Sequence, residues 1–148
     1  MIKIGDKAPE INSIDQNGEK ITLKQFLGKK IILYFYPKDM TPGCTAQSCN
    51  LRDNYQQLLD SGYVVLGCSA DSPEKHQKFI EKYDLPFPLI SDQSKEVLNK
   101  YGVWALKKFM GKEYMGILRT TFVIDENGII EDIITKVKTK EHTSQILT

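Results

Sequence analysis

The chain has 148 residues, of which 41% are hydrophobic and 26% are charged, a composition typical of a folded globular protein rather than of a disordered or membrane chain. Its 20 basic and 19 acidic side chains leave a formal charge of +1, which gives no electrostatic reason to expect nucleic acid or an anionic membrane as a partner. The length is that of one domain, and we expect residues 1–148 to form it.

The N-terminal residues lack the apolar core of a signal peptide, and an acidic residue, Asp6, comes early. The longest apolar run, residues 31–36, is far shorter than the roughly 20 residues needed to span a bilayer. We therefore expect a cytoplasmic protein. In that compartment the three cysteines are better explained by reactive or redox roles than by permanent disulfides.

The first half of the chain alternates predicted strands and helices. Two short apolar stretches around the turn signal at residues 16–19 predict an N-terminal β-hairpin. Residues 31–36 form a continuous apolar run, which predicts a central strand that is buried on both faces. A helix should begin at Thr41-Pro42, with the threonine as N-cap, and end near residue 61. Residues 63–68 predict a second buried strand.

The second half should begin with a helix at Ser72-Pro73, which also carries His76 at the edge of the core. Residues 104–116 give mixed signals and are interpreted as a long loop, whereas the turn signal at residues 125–128 predicts a hairpin. The last residues suggest a weak helix, with His142 in a polar tail. This order predicts an α/β fold with a mixed central sheet flanked by helices, compatible with a thioredoxin-like fold.

The segment between the first central strand and its helix is the most informative part of the sequence. If the helix starts at Pro42, Cys44 lies in the first turn, where free backbone N–H groups and the helix dipole favour a thiolate over a thiol. Gly43 would let a ligand approach the backbone closely. A thiolate is the form of cysteine that attacks electrophiles. The sequence therefore indicates a nucleophilic cysteine.

A second cysteine, Cys49, follows five positions later on the same predicted helix. On an intact helix, five residues correspond to about 500° of rotation and a rise of about 7.5 Å, which separates the two Cα atoms by about 8.6 Å. A disulfide requires a separation below about 7 Å. A bond between Cys44 and Cys49 would therefore require the first turns of the helix to unwind.

Other kinds of cysteine site fit less well. A zinc site would need a closer cysteine pair and a second pair of ligands. A phosphatase-like site would need an arginine where Asn50 stands, and a thioredoxin-type pair would have two intervening residues rather than four. Two inert helix cysteines stay possible. Cys68, at the end of an apolar strand, is expected to be buried and structural.

Residues 35–45 read Phe-Tyr-Pro-Lys-Asp-Met-Thr-Pro-Gly-Cys-Thr. This run resembles the active-site stretch of the peroxiredoxins, and more narrowly that of the bacterioferritin-comigratory-protein (peroxiredoxin Q) group. The similarity also includes residues 5–9, residues 51–53, residues 119–125 and the spacing of the two cysteines. It extends over nearly the whole chain. One departure is Gln47, which stands where an acidic residue is often found.

The resemblance implies a role for each matching residue. Cys44 is implied to be the peroxidatic cysteine, Pro37 the proline that shields it from water, and Thr41 the hydroxyl that bonds the thiolate and the peroxide. Arg119 is implied to favour the thiolate and to polarise the O–O bond. Cys49 occupies the resolving position found in many members of the group.

The function implied by the resemblance is reduction of hydrogen peroxide and organic hydroperoxides, without metal, haem or flavin. Cys44 would become a sulfenic acid and then form an intramolecular disulfide with Cys49, which a thioredoxin-type protein would reduce. The sequence has no cysteine beyond Cys68, and together with the resemblance this favours a monomer. An alternative hypothesis is a redox-sensing interaction protein with the same fold, which reacts with oxidants but cycles poorly.

Overall fold

The computed structural model describes residues 2–147 and contains both strands and helices. The strands are β1 (Asn12–Ile14), β2 (Lys20–Thr22), β3 (Lys30–Phe35), β4 (Tyr63–Ser69), β5 (Leu89–Ser91), β6 (Trp104–Phe109), β7 (Lys112–Ile117), β8 (Thr120–Ile124) and β9 (Ile130–Ile134). The helices are α1 (Pro42–Asp53), α2 (Tyr55–Asp60), α3 (Pro73–Tyr83), α4 (Glu96–Lys100) and α5 (His142–Leu147), with a 3-10 turn at Leu23–Phe26.

One mixed sheet has the strand order β2-β1-β5-β4-β3-β8-β9. Strand β3 pairs in parallel with β4 and antiparallel with β8, and β4 pairs in parallel with β5. The predicted fold class, a mixed central sheet flanked by helices with an N-terminal hairpin, is therefore confirmed. The carboxyl ends of β3 and β4 lie at the same edge of the sheet, and α1 begins just beyond that edge.

The central strand β3 separates two hydrophobic cores. Ile31, Leu33 and Phe35 face one core, whereas Ile32 and Tyr34 face the other, as the two-residue period of a strand requires. All five side chains are fully buried, which explains why this segment is apolar without alternation. Helix α1 packs on the side of Tyr34 and contributes two buried residues to that core, Cys44 and Leu51.

The interpretation of residues 104–116 as a loop was wrong, because β6 and β7 form an antiparallel two-stranded sheet there. Its outer half is exposed on both faces, so the sequence lacks the alternation that marks a half-buried strand. The turn is made by Met110 and Gly111, which have φ values of 51° and 79°. Positive φ at both central residues suits a two-residue hairpin turn.

The C-terminal part also differs in detail from the prediction. The weakly indicated helix is present as α5. Its first residue, His142, does not lie in a polar tail but is fully buried, with Nε2 2.8 Å from Thr121 Oγ1. Burial lowers the pKa of His142, and the nearby Arg119 acts in the same direction. The predicted helix from Pro42 to about residue 61 is interrupted at Asn54, which separates α1 from α2.

Between residues 2 and 147, none of the helices combines the length and the apolar character that crossing a bilayer requires.

Candidate active site

Cys44 lies in the first turn of α1, where the sequence analysis placed it. Thr41 is the N-cap, Pro42 opens the helix, and the Thr45 N–H donates to the Thr41 carbonyl at 2.9 Å. The first N–H groups of a helix have no partner within it, and they carry the positive end of its dipole. The side chain of Cys44 is fully buried, so this charge acts on the sulfur with little screening by water.

Arg119 lies in the short connection between β7 and β8. It is 75 residues from Cys44 in the sequence, yet its side chain contacts the Cys44 sulfur. Its Nη2 group donates to Cys44 Sγ at 3.2 Å, and its Nη1 group donates to Gln47 Oε1 at 2.6 Å. A Cβ atom on Gly43 would lie 3.3 Å from Nη2. The glycine therefore leaves room for the guanidinium group to approach the start of the helix.

The two remaining residues of the predicted cysteine site lie in the loop that follows β3. Pro37 is half-buried at the edge of the sheet. The Thr41 hydroxyl donates to the Lys38 carbonyl at 2.8 Å, and its oxygen does not accept a hydrogen bond from a backbone N–H of the helix. Because its hydrogen is used in this way, the hydroxyl oxygen is left to accept a hydrogen bond.

Cys49 lies on the same unbroken helix as Cys44, and both are free thiols. Cys49 is partly exposed. Burial raises the pKa of its thiol; Arg52 acts against this shift and Asp53 adds to it. The helical separation of about 8.6 Å between the two Cα atoms holds the sulfurs too far apart for a bond in this conformation.

Gln47 and Ser48 belong to the same buried surface of α1, and the sequence pattern predicted a role for neither of them. Gln47 holds the Arg119 guanidinium group, and its own Nε2 is buried without a hydrogen-bond partner. The Ser48 hydroxyl lies 2.9 Å from the Tyr34 hydroxyl in the core. Their positions three and four residues after Cys44 were a usable signal, because such residues share one face of a helix.

Asn50, directly after Cys49, ties α1 to the C-terminal segment. Its side-chain N–H group donates to the Lys140 carbonyl at 2.9 Å, and its Oδ1 accepts from the Thr143 N–H at 2.8 Å. The Thr143 hydroxyl also donates to the Asn50 carbonyl at 3.3 Å. These contacts hold the start of α5 and the segment before it against the second half of α1.

One group with metal-ligand chemistry occurs in the described part of the chain, and it consists of Asp39, Asp71 and His76. These side chains already bond one another or nearby hydroxyl and carbonyl groups. The adjacent cavity of about 220 Å³ is also lined by three lysines, Lys38, Lys75 and Lys78. Such surroundings do not favour a cation.

Comparison with known proteins shows which family the chain resembles over its whole length. The AhpC/TSA family profile matches residues 4–133. Peroxiredoxin Bcp of Bacillus subtilis is 47% identical over 146 residues, which cover 99% of this chain and 93% of that protein. Peroxiredoxin Bcp of Escherichia coli K12 is 48% identical over 146 residues, which cover 99% and 94% of the two chains.

Two solved structures are similar over most of their length. The Mycobacterium tuberculosis peroxidoxin BcpB has a TM-score of 0.88 and 33% identity, and the match covers 99% of this chain and 95% of that one. The Xanthomonas campestris bacterioferritin comigratory protein, described with alkyl peroxide reduction activity, has a TM-score of 0.86 and 31% identity over 93% and 87% of the two chains. The chain therefore belongs to the AhpC/TSA family and, within it, to the Bcp group of peroxiredoxins, the thiol peroxidases.

Proposed function

We propose that the enzyme reduces hydrogen peroxide and organic hydroperoxides at Cys44. The observation that carries the proposal is the fully buried Cys44 sulfur at a helix N-terminus, with an Arg119 N–H group 3.2 Å away. Two positive groups beside one sulfur stabilise the negative charge of the reaction as it moves from the sulfur onto a departing oxygen. The alkyl peroxide reduction described for the Xanthomonas campestris relative supports organic hydroperoxides as substrates.

In the first step the Cys44 thiolate attacks one peroxide oxygen, an S–O bond forms and the O–O bond breaks. The other oxygen leaves as hydroxide or alkoxide and takes a proton, so Cys44 becomes a sulfenic acid. Arg119 stabilises the charge during this transfer. The Thr41 oxygen, whose hydrogen is directed to Lys38, accepts the hydrogen bond of the peroxide hydroxyl. Pro37 limits the access of water.

In the second step the Cys49 thiolate attacks the Cys44 sulfur, the S–O bond of the sulfenic acid breaks, and an intramolecular disulfide forms. The hydroxide that leaves takes a proton from solvent and becomes water. The first turns of α1 must unwind for this step, because both cysteines lie on one intact helix. A thioredoxin-type dithiol then reduces the disulfide. We also propose a cytoplasmic location, since a disulfide that is reduced in every cycle needs a reducing compartment. Because one helix supplies both cysteines, we propose a single domain that acts as a monomer.

The test is a rapid-mixing experiment with the reduced protein. About one equivalent of peroxide per chain should be consumed before any reductant is added, and the mass of the trapped product should show a Cys44–Cys49 link. The Cys44→Ser variant should consume none. A wild-type protein without this burst, or an undiminished burst in Cys44→Ser, would refute the proposal.

Removal of the Ser48 hydroxyl should accelerate the second step. The contact between Ser48 and Tyr34 exists only while α1 is folded, so Ser48→Ala removes a bond that opposes unwinding. A lost hydrogen bond of this kind is worth about 1 kcal/mol, which corresponds to roughly a fivefold shift of the equilibrium. We expect disulfide formation to become about 3- to 10-fold faster, as measured by quenched-flow mass spectrometry after one equivalent of peroxide.

The control is Thr45→Ala, which removes a half-exposed hydroxyl from the same helix and should leave this rate within about twofold of the wild-type rate. Ser48→Ala should also need more peroxide for overoxidation, because its sulfenic acid persists for a shorter time. An unchanged or slower disulfide step in Ser48→Ala would contradict the role of this contact.

The second step should also become faster as the pH rises. Burial raises the pKa of Cys49 in the folded helix, and unwinding exposes the thiol and returns its pKa toward the ordinary value. At pH values below the ordinary pKa of cysteine, the protonated Cys49 thiol therefore stabilises the folded helix. This stabilisation is lost as the pH rises through the raised pKa of the folded state. Disulfide formation should accelerate between about pH 7 and 9, in single-turnover measurements that separate it from sulfenic acid formation. A flat or falling profile would argue against Cys49 as the attacking thiol.

A further inference from the structure

A buried polar network holds the loop that leads into the active-site helix. Asp39, in this loop, accepts a hydrogen bond from the Tyr36 hydroxyl at 2.5 Å and lies 2.6 Å from His76 Nδ1. The Asp39 N–H donates to Asp71 Oδ2 at 2.8 Å. Asp39 and His76 are both buried. The loop is thus attached to α3 by a contact that water does not weaken.

His76 is itself fixed at both ring nitrogens. Its Nε2 lies 3.0 Å from the Ile90 carbonyl, which only accepts, so Nε2 carries a hydrogen. Its Nδ1 shares the remaining hydrogen bond with the Asp39 carboxyl group. His76 therefore links the loop to α3 and to β5 on the same side of the sheet.

The loop conformation needs such an attachment. Met40, the residue after Asp39, has a φ of 67°, in the left-handed region that a non-glycine residue adopts only at an energetic penalty. The Met40 side chain is exposed and offers little packing that would compensate. The next residue is Thr41, whose hydroxyl donates to Lys38 within the same loop. The placement of Thr41 and of the first turn of α1 therefore depends on Asp39.

We propose that His76 is a positioning residue for the peroxide reaction. Through Asp39 it keeps the loop in the conformation that presents Thr41 and Cys44 to peroxide, and loss of this contact accompanies the unwinding of α1. This role of His76 rests on the function proposed above. If His76 has this role, weakening its contact with Asp39 should slow the reaction of Cys44 with peroxide and accelerate disulfide formation.

The experiment measures both steps in His76→Leu. Peroxide should react with Cys44 about 10- to 100-fold more slowly, because the reacting groups are no longer held in place. The sulfenic acid should then form the disulfide several-fold faster, because the loop no longer opposes unwinding. His76→Asn, which can still donate to Asp39, should recover most of the first rate. Glu81→Ala, an exposed position on the same helix, should leave both rates unchanged.

Loss of one partner from a buried hydrogen-bonded pair also lowers the thermal stability of the protein. A second variant distinguishes this loss of stability from a loss of positioning. Asp39→Ala combined with His76→Leu and Tyr36→Phe removes the three buried polar groups that bond one another, and it should recover much of the thermal stability while the peroxide reaction stays slow. If the peroxide rate returned with the stability, or if both steps changed in the same direction, the positioning role would be rejected. If the proposed function itself were wrong, wild type would show no peroxide burst, so the two failures are distinguishable.

Discussion

Replacement of Arg119 with methionine is expected to slow the reaction of Cys44 with peroxide by about 10²- to 10³-fold. The guanidinium group donates to the sulfur at 3.2 Å, and in the transition state it would stabilise charge on both the sulfur and the departing oxygen. Methionine keeps much of the side-chain length, but it removes the hydrogen bond to the sulfur and the positive charge. The measurement is the second-order rate of peroxide consumption by the reduced protein under single-turnover conditions.

Two further variants define the cause of this effect. Arg119→Lys keeps the charge but loses the fork that binds Cys44 and Gln47 together, so its rate should fall between those of wild type and methionine. Arg52→Met removes the other arginine of the sequence, whose contacts are with Asp53 and the Tyr83 carbonyl, and it should leave the first step unchanged. Equal losses in the Arg52 and Arg119 variants would indicate a general charge effect instead.

Replacement of Cys49 with serine is expected to separate the two chemical steps completely. The first equivalent of peroxide should react at the wild-type rate, because Cys49 makes no contribution to the attack by Cys44. Turnover with a thioredoxin-type reductant should then fall by more than about 100-fold, since no disulfide forms for the dithiol to reduce. The sulfenic acid should persist, react with a sulfenic-acid trapping reagent, and overoxidise at lower peroxide concentrations.

Cys68→Ala is the matched control. Cys68 is fully buried at the end of β4, and burial, together with nearby Asp92, raises the pKa of its thiol well above the ordinary range. It is therefore a poor nucleophile, and its removal should leave turnover within about twofold. Sustained cycling by Cys49→Ser would overturn the proposed pairing. Many cycles by wild type would exclude a redox sensor that reacts once and cycles poorly.

The sequence predicted most of the sheet because its central strands are buried on both faces. Residues 31–36 are a continuous apolar run, as expected of a central strand that is covered on both faces. The β6–β7 hairpin could not be predicted in the same way. Side chains such as Phe109 and Met115 are exposed there, so burial imposes no alternation on the sequence. The strand order also depends on long-range pairing that local patterns do not encode.

Some features of the active site can be predicted from residues that are neighbours in the sequence, whereas others depend on residues that are far apart in it. The helix start at Thr41-Pro42 and the position of Cys44 follow from neighbouring residues, and the structure places them as predicted. Arg119 is 75 residues away from Cys44, and only the family resemblance selected it. The contact between Asp39 and His76 spans 37 residues and has no local signal. Interactions of this kind are created by the packing of α3 against the sheet.

The Asn50 contacts with Lys140 and Thr143 have a kinetic consequence for the return from the disulfide form. They hold the second half of α1 in place, so an ordered helical segment can persist next to the unwound residues. After reduction, the first turns are then added to an existing helix and do not have to be nucleated, and nucleation is the slow part of helix formation. The helical turns themselves should therefore re-form in about a microsecond or less once the disulfide is reduced.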